Sequence, residues 1–445
     1  MTEAREYHRA MVELARGGRT DAFVALAHKL EPADLADVLA ELSEEDRVRI
    51  VRALPPELSG EALAEMPEEA HAEETLVALE PEHAAEILER LEDDDAADLL
   101  RELDPEQQER ILAEVEDRSD VDRLLRYEEE SAGGRMTTHV VTVRDSDTAA
   151  EALVAIRRQA DTVEDFYQIF VVDGARRLAG IAPLKDLVVS PPDRPVREIM
   201  AGAEHSVHPE VDQEEVARVM ARYNLESVPV VDHAGRLLGR VTFDDVIDVV
   251  EAETTEDILR FGGVPGDEEL TGGWHKAVRS RLPWLYVNLL TAFLAAGVVY
   301  LFQDTVQRLV TLAVWMPIIA GMGGNAGTQA LAVTVRRLAL GRVRPEQSVR
   351  VLAKEVAVGL TNGLAVGVVV AIVAILMGEG AGLGVVVFLA LAGNLLVAGF
   401  AGAFIPVVLE RAGVDPAVAS SIFVTTFTDT CGFLLLLGMA AWLLL

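Results

Sequence analysis

The chain has 445 residues, half of them hydrophobic and a quarter charged, with a formal net charge of −34. The acidity is one-sided: residues 1–273 hold 28 Lys/Arg against 66 Asp/Glu, whereas residues 274–445 hold 11 against 7. An acidic soluble part joined to an apolar one excludes a simple soluble enzyme, and the missing basic surface argues against nucleic acid as a partner. One cysteine, Cys431, leaves no intrachain disulfide framework or Cys-rich zinc site. The first thirty residues are charged and contain no apolar core, so no cleavable signal peptide is expected.

Residues 30–115 carry an internal repeat. Apolar residues recur at Leu30, Leu42, Leu54, Met66, Leu79, Leu91, Leu103 and Val115, every 12 residues except for one step of 13. Several units open with an acid or proline, as in Leu30-Glu-Pro and Leu79-Glu-Pro. Both residue types suit a first helical turn. Short helices that cannot bury a face alone stack on their neighbours, so a small α-helical superhelix is expected over residues 1–129.

A second repeat follows. Phe170-Val-Val-Asp-Gly-Ala-Arg-Arg-Leu-Ala-Gly-Ile181 echoes Val230-Val-Asp-His-Ala-Gly-Arg-Leu-Leu-Gly-Arg-Val241, and Arg135-Met136 echoes Ile199-Met200. Each copy reads strand, helix, strand, glycine turn, strand, helix. The pattern resembles a tandem pair of α/β CBS domains, here residues 130–190 and 191–242. That resemblance implies regulation and, in many members, adenine nucleotide binding such as ATP. Thr242 and Asp245 stand where a Thr-x-x-Asp ribose contact would fall. Thr242 is equally a good N-cap for the helix that follows.

That helix is expected from Phe243 to Phe261, ending at Gly262-Gly263, within an acidic connecting segment of residues 243–273. Asp244, Asp248 and Glu251 share one face of it, and like charges at that spacing destabilise a helix unless neutralised. Asp245, Glu253, Glu256 and Asp257 add to the run. Facing carboxylates are available in Asp93-Asp-Asp-Ala-Ala-Asp98 and in Asp212, Glu214 and Glu215. A divalent cation bridging these groups would draw acidic domains together.

Residues 274–445 supply five candidate spans, each near the ~20 residues needed to cross a bilayer: Pro283–Phe302, Leu309–Val335, Val356–Met377, Leu383–Leu409 and Val418–Leu445. Lys276, Arg279, Arg281, Arg336, Arg337, Arg342, Arg344, Arg350, Lys354 and Arg411 share one side, and Arg308 alone faces the other. The positive-inside rule then places the N-terminal part in the cytoplasm and the C-terminus outside. In the second span, Pro317 and Gly321, Gly323, Gly324 and Gly327 are expected to weaken the helix, beside polar Asn325, Thr328 and Gln329. Such a stretch either packs helices closely or lines a watery path. In the fifth, Thr425-Thr426-Phe427-Thr428-Asp429-Thr430 holds a carboxylate deep in the span, roughly 21 Å beyond Asp415 along a helix. No Lys or Arg lies at matching depth, so a mobile cation is the natural counter-charge. Oxygen ligands favour Mg²⁺, Ca²⁺ or Mn²⁺, and one carboxylate facing a hydrated ion suits Mg²⁺ best.

The order of these parts resembles the MgtE magnesium channels along essentially the whole chain. The carrying residues are Tyr127-Glu-Glu-Glu-Ser-Ala-Gly-Gly-Arg-Met136, Pro317-Ile-Ile-Ala-Gly-Met-Gly-Gly-Asn-Ala-Gly-Thr-Gln329, and Gly413-Val-Asp-Pro-Ala417 with Thr426-Phe-Thr-Asp-Thr-Cys-Gly432. The resemblance implies a multidomain, multi-pass protein of a bacterial inner membrane, in contact with lipid, with five helices in residues 274–445. It implies a homodimer with one pore, Asp429 holding hydrated Mg²⁺, and regulatory Mg²⁺ at Asp94, Asp98, Asp245, Asp248, Glu253, Glu256 and Asp257. Asp415 would help lock the connecting helix when cytosolic Mg²⁺ is high. The family often carries a proline where this chain has Ser421-Ile422, which puts the local bend in question. Two other readings stay open on the residues alone: transport of Mn²⁺, Co²⁺ or Ca²⁺, and a membrane metal or nucleotide sensor that conducts nothing. An enzyme is not expected, because no nucleophile–base set or phosphate-cradling loop stands out.

Overall fold

The computed structural model describes residues 2–67, 70–160, 163, 166–266, 268, 273–339, 348–416 and 420–445. Arg342, Arg344, Ala417 and Val418, named above, lie outside the described residues. The chain forms two compact units, Met1–Glu251 and Ala252–Leu445.

The first unit opens with helices α1 (Thr2–Arg16), α2 (Thr20–Ala27), α3 (Pro32–Ala40), α4 (Glu44–Val51), α5 (Pro56–Ala64), α6 (Ala72–Val77), α7 (Pro81–Leu88), α8 (Asp93–Arg101), α9 (Pro105–Leu112) and α10 (Ser119–Leu124). Proline starts α3, α5, α7 and α9, where its missing N–H costs nothing. The repeating apolar residues occupy one structural position, just past each helix. There the amides of Leu42, Leu79, Leu91 and Leu103 donate to the carbonyls of Leu39, Leu76, Leu88 and Leu100. Leu42, Leu54, Met66, Leu79, Leu91 and Leu103 are buried, and Leu30 and Val115 partly so. The 13-residue step falls between α5 and α6, where His71 takes up φ 53° before its helix. Alternate helices stack, α3 on α5, α5 on α7 and α7 on α9, which buries Leu35, Leu63 and Ile87 completely.

Then come β1 (Thr142–Arg144), α11 (Ala149–Gln159), β2 (Gln168–Val172), β3 (Leu178–Pro183), α12 (Leu184–Val189), α13 (Gln213–Tyr223), β4 (Ser227–Val231) and β5 (Leu237–Thr242). In the first copy β1 runs parallel to β2, and β2 antiparallel to β3. The second copy departs from the expected three strands. β4 and β5 pair, but the leading strand is one parallel bridge, Val207 to Val230. The cause is Pro229, 59 residues after Phe170. Phe170 donates its amide to Val141, and a proline has no amide to give.

The copies exchange their leading segments. Thr137 and Arg240 trade backbone hydrogen bonds at 2.9 Å, so the stretch preceding the first copy lies on β5 of the second. Ala201 and Ile181 do the same on β3 of the first. Met136 and Met200 sit over Gly239 and Gly180, where a β-carbon would run into the carbonyl oxygens of Thr137 and Ala201. The two turns also bond reciprocally, Leu178 to Gly235 at 2.9 Å and Leu237 to Arg176 at 3.1 Å. Arg176 and Gly235 both take positive φ, 60° and 76°. A β-carbon at Gly235 would meet no neighbour, so Gly235→Ala carries a backbone penalty alone. It is expected to lower unfolding stability by about 1 kcal/mol, read from denaturant melts.

Helix α14 (Phe243–Phe261) begins in the first unit and ends in the second, at Gly263 with φ 78°. The second unit continues with α15 (Trp274–Leu301), α16 (Gln303–Arg308), α17 (Leu312–Ala339), α18 (Ser348–Leu376), α19 (Gly380–Arg411) and α20 (Ser420–Leu443). Among the described residues, four helices are long and apolar enough to cross a membrane: α15, α18, α19 and α20. At 28 residues α17 is long enough, but its glycine and amide run keeps it below their hydropathy. Nor is α17 weakened as expected: it runs through Pro317 and the glycines without a break. α19 is the central helix, packed against α17, α18 and α20. Gly359 and Gly363 of α18 and Gly399 of α19 let backbones touch; a β-carbon at Gly359 would overlap the Leu395 carbonyl oxygen. Gly359→Val should therefore cost about 1–3 kcal/mol of overpacking strain, seen as a lower melting temperature in detergent.

Candidate ion pathway and acidic sensor

On α17 the glycines divide by face. Gly323 and Gly327 are packing positions: added β-carbons would strike the Asn394 amide and Val424 respectively. Gly321 and Gly324 have open space beside them. Gly321, Asn325 and Gln329 follow at i, i+4 and i+8 on an exposed stripe. Thr328, half-buried, donates to the Gly324 carbonyl at 2.9 Å. α20 is divided in the same way. Val424 and Thr428 are buried, Thr425 is exposed, and Asp429 is half-buried. The Thr425, Thr426 and Thr428 hydroxyls bond back to their own helix. Among the described residues, no hydrogen bond or ion pair engages the Asp429 carboxylate. α20 also passes through Ser421-Ile422 unbroken.

The acidic helix finds partners in α8. Asp94 is buried, and its Oδ1 has no hydrogen-bond partner among the described residues. Burial, then the Asp245 carboxylate, push Asp94 well above the usual carboxylate range. Burial also lifts Asp245 to about 6, against hydrogen bonds from Thr242 that lower it. Asp248 is raised by burial and by Glu251 and Asp244; Glu65, which no motif marks, is raised by burial and by Asp248 and Asp244. Asp98 is raised by burial even though Arg135, at 2.9 Å, and Arg101 pair with it. Among the described residues no three Asp, Glu, His or Cys side chains form a ready metal cluster. The donor set nevertheless suits a hard cation: carboxylate oxygens whose proton affinity is raised by burial and by one another, with Asp94 Oδ1 buried without a bond among the described residues.

Three expected ligands are otherwise engaged. Asp212 caps α13, accepting from the Glu214 amide at 2.8 Å. Glu256 and Asp415 are both bound by Arg260, a residue the charge pattern hid because it lies 155 positions from Asp415. Asp257 remains raised by burial, Asp415 and Glu253. Thr242 donates through its amide and hydroxyl to Asp245, the cap arrangement rather than a free ribose contact. Thr242 does line a cleft of about 760 Å³, together with Tyr167, Gln168, Met220, Asn224 and Asp244, whereas Asp245 does not.

Stacked short helices, a CBS-like pair, an acidic helix and apolar spans define a multi-pass membrane protein with a large acidic regulatory part. Residues 316–439 match the MgtE family of divalent cation transporters, residues 30–130 the MgtE intracellular N domain, and residues 132–191 and 196–252 CBS domains. The chain is 37% identical to the magnesium transporter MgtE of Enterococcus faecalis, over 73% of its own length and 72% of that protein's. With the magnesium transporter MgtE of Thermus thermophilus it shares 39% identity, over 74% and 73% of the two chains. The chain therefore belongs to the MgtE family. Among solved structures it resembles the cytosolic domain of the Mg²⁺ channel MgtE in complex with ATP, with 40% identity and a TM-score of 0.52. That match covers 54% of this chain and 99% of that one. The soluble part of a magnesium transporter gives the same TM-score at 31% identity, covering 56% and 99%.

Proposed function

We propose that this protein is a Mg²⁺ channel of the inner membrane, closed by cytosolic Mg²⁺. The observation that carries the reading is the Asp429 carboxylate, on an apolar helix and without a partner among the described residues, in a chain nearly three-quarters alignable to magnesium transporters. Two copies would meet along the exposed polar stripe, so that Asn325, Thr328, Gln329, Thr425 and Asp429 line one path. The spans number five in this reading, α17 joining the four apolar ones. Its reduced hydropathy is what a wet face requires. The cationic loops put the soluble part in the cytoplasm and the C-terminus outside.

Regulation falls to the carboxylates of α8 and α14. Mg²⁺ would offset the mutual repulsion and burial that raise Asp94, Asp98, Asp245 and Asp248, and would gather Glu251, Glu253 and Asp257 along α14. Glu256 and Asp415 would contribute only on leaving Arg260. The division of labour follows residues 1–129, 130–190, 191–242, 243–273 and 274–445. Adenine nucleotide fits the cleft beside Tyr167 and Thr242, as the ATP-bound relative suggests. The test is flux into liposomes of purified protein for Mg²⁺, Mn²⁺, Co²⁺ and Ca²⁺, repeated over a range of Mg²⁺ on the cytoplasmic side. Mg²⁺ should pass best and its own internal rise should shut the flux. Vesicles that pass no divalent ion would leave only a sensor.

A further inference from the structure

Asn394 is a polar side chain in the middle of the most apolar part of the protein, and nothing in the pathway above uses it. It lies on α19 with no exposed surface. Its Nδ2 donates to the Ile319 carbonyl of α17 at 2.9 Å, and its Oδ1 is buried without a partner among the described residues. Two glycines make room for the amide. A β-carbon at Gly323 of α17 would overlap it, and one at Gly432 of α20 would stand 2.7 Å from Nδ2. The same β-carbon at Gly323 would lie 3.2 Å from Cβ of Thr428, the neighbour of Asp429. A buried amide is costly in a membrane unless its place is specified, and here two other helices are carved to receive it.

The position explains what the amide does. Ile319 and Gly323 form the back of α17, and its front carries Asn325 and Gln329. Thr428 and Gly432 form the back of α20, and its adjacent face carries Thr425 and Asp429. We propose that Asn394 is a positioning residue: by wedging between the backs of α17 and α20 it sets the rotation and depth at which their polar faces meet, and so governs which hydrated cation passes. This rests on the reading of Asp429 as the pore carboxylate. Mg²⁺ keeps its waters, so discrimination depends on spacing between oxygen groups rather than on direct ligation.

The experiment compares Asn394→Leu, Gly323→Ala and Gly297→Ala with the unaltered protein in liposomes, reading the ratio of Mg²⁺ to Ca²⁺ flux. Leucine keeps the volume and removes the donor. Gly323→Ala pushes the amide out of its slot, whereas Gly297 has open space and serves as the matched helix glycine. The ratio should fall about 3- to 20-fold in the first two, the span that interhelical hydrogen bonds in membranes are worth. It should hold in the third, and the internal Mg²⁺ that closes the flux should be unchanged in all. If Asn394→Leu does not assemble, Gly323→Ala carries the same comparison. A wild-type ratio in whichever variant assembles overturns the proposal while leaving the channel intact; no flux from the unaltered protein overturns the pore reading itself.

Discussion

Asp429→Ala is expected to reduce Mg²⁺ flux to the leak of protein-free vesicles and to abolish growth at low Mg²⁺ of a strain lacking other uptake systems. A carboxylate inside a span costs about 2.5–3.5 kcal/mol on insertion scales, and no Lys or Arg side chain repays it here. Folding alone would thus favour the alanine, and the variant should be made and assembled normally. That separates a transport defect from a stability defect: elution on size exclusion like that of the unaltered protein, with no flux, is the expected pair of results. Asp429→Asn should keep the shape and lose the charge. Undiminished flux from it would mean that the pathway does not need an anion at this depth.

Lowering the pH from about 7.5 to 5 without Mg²⁺ is expected to stabilise the first unit. Asp94, Asp98, Asp245 and Asp248 all hold their protons more tightly in the folded protein than in the unfolded chain. The advantage is complete below the unfolded carboxylate range, near 4, and is lost as pH rises through the folded values, about 6 for Asp245. Asp46, Asp173 and Asp232 are lowered by hydrogen bonds, so their contribution is lost only below that window. For Asp245 alone the gain between pH 7.5 and 5 is on the order of 1 kcal/mol, and it reaches about 2–3 kcal/mol only below pH 4. Hydrogen exchange in α8 and α14 of the whole protein should slow accordingly. Millimolar Mg²⁺ at pH 7.5 should produce the same slowing, and Asp94→Asn should blunt both. Exchange indifferent to pH and Mg²⁺ alike would remove the basis for a metal switch.

Much of this could be read from residues because it repeats. The Leu30–Val115 spacing marks one turn after each helix, and the 59-residue offset aligns Asp173 with Asp232 and Arg176 with Gly235. Helix ends at Gly263 follow from backbone freedom at glycine. What stayed hidden was long-range. Arg260 meets Asp415, Arg135 meets Asp98, and Met136 crosses to the other copy's strand, none of which a local pattern encodes. Asn394 sits alone in an apolar run, where no periodicity announces a partner on α17. The loss of a strand in the second copy turned on a single proline, and α17 stays helical with α19 and α20 packed against Gly323 and Gly327, two of the four glycines expected to loosen it.

The crossed lead-in segments have a mechanical corollary. Residues 130–137 tie the stacked helices to β5, and β5 runs without interruption into α14. A tug on the helical stack would therefore reach the start of the acidic helix through β5 as well as through the direct meeting of Asp94 on α8 with Asp245, without passing through the first copy's sheet. On that connectivity the first copy would brace β5 instead of standing in series with it, and loosening it would soften the transmission without severing it.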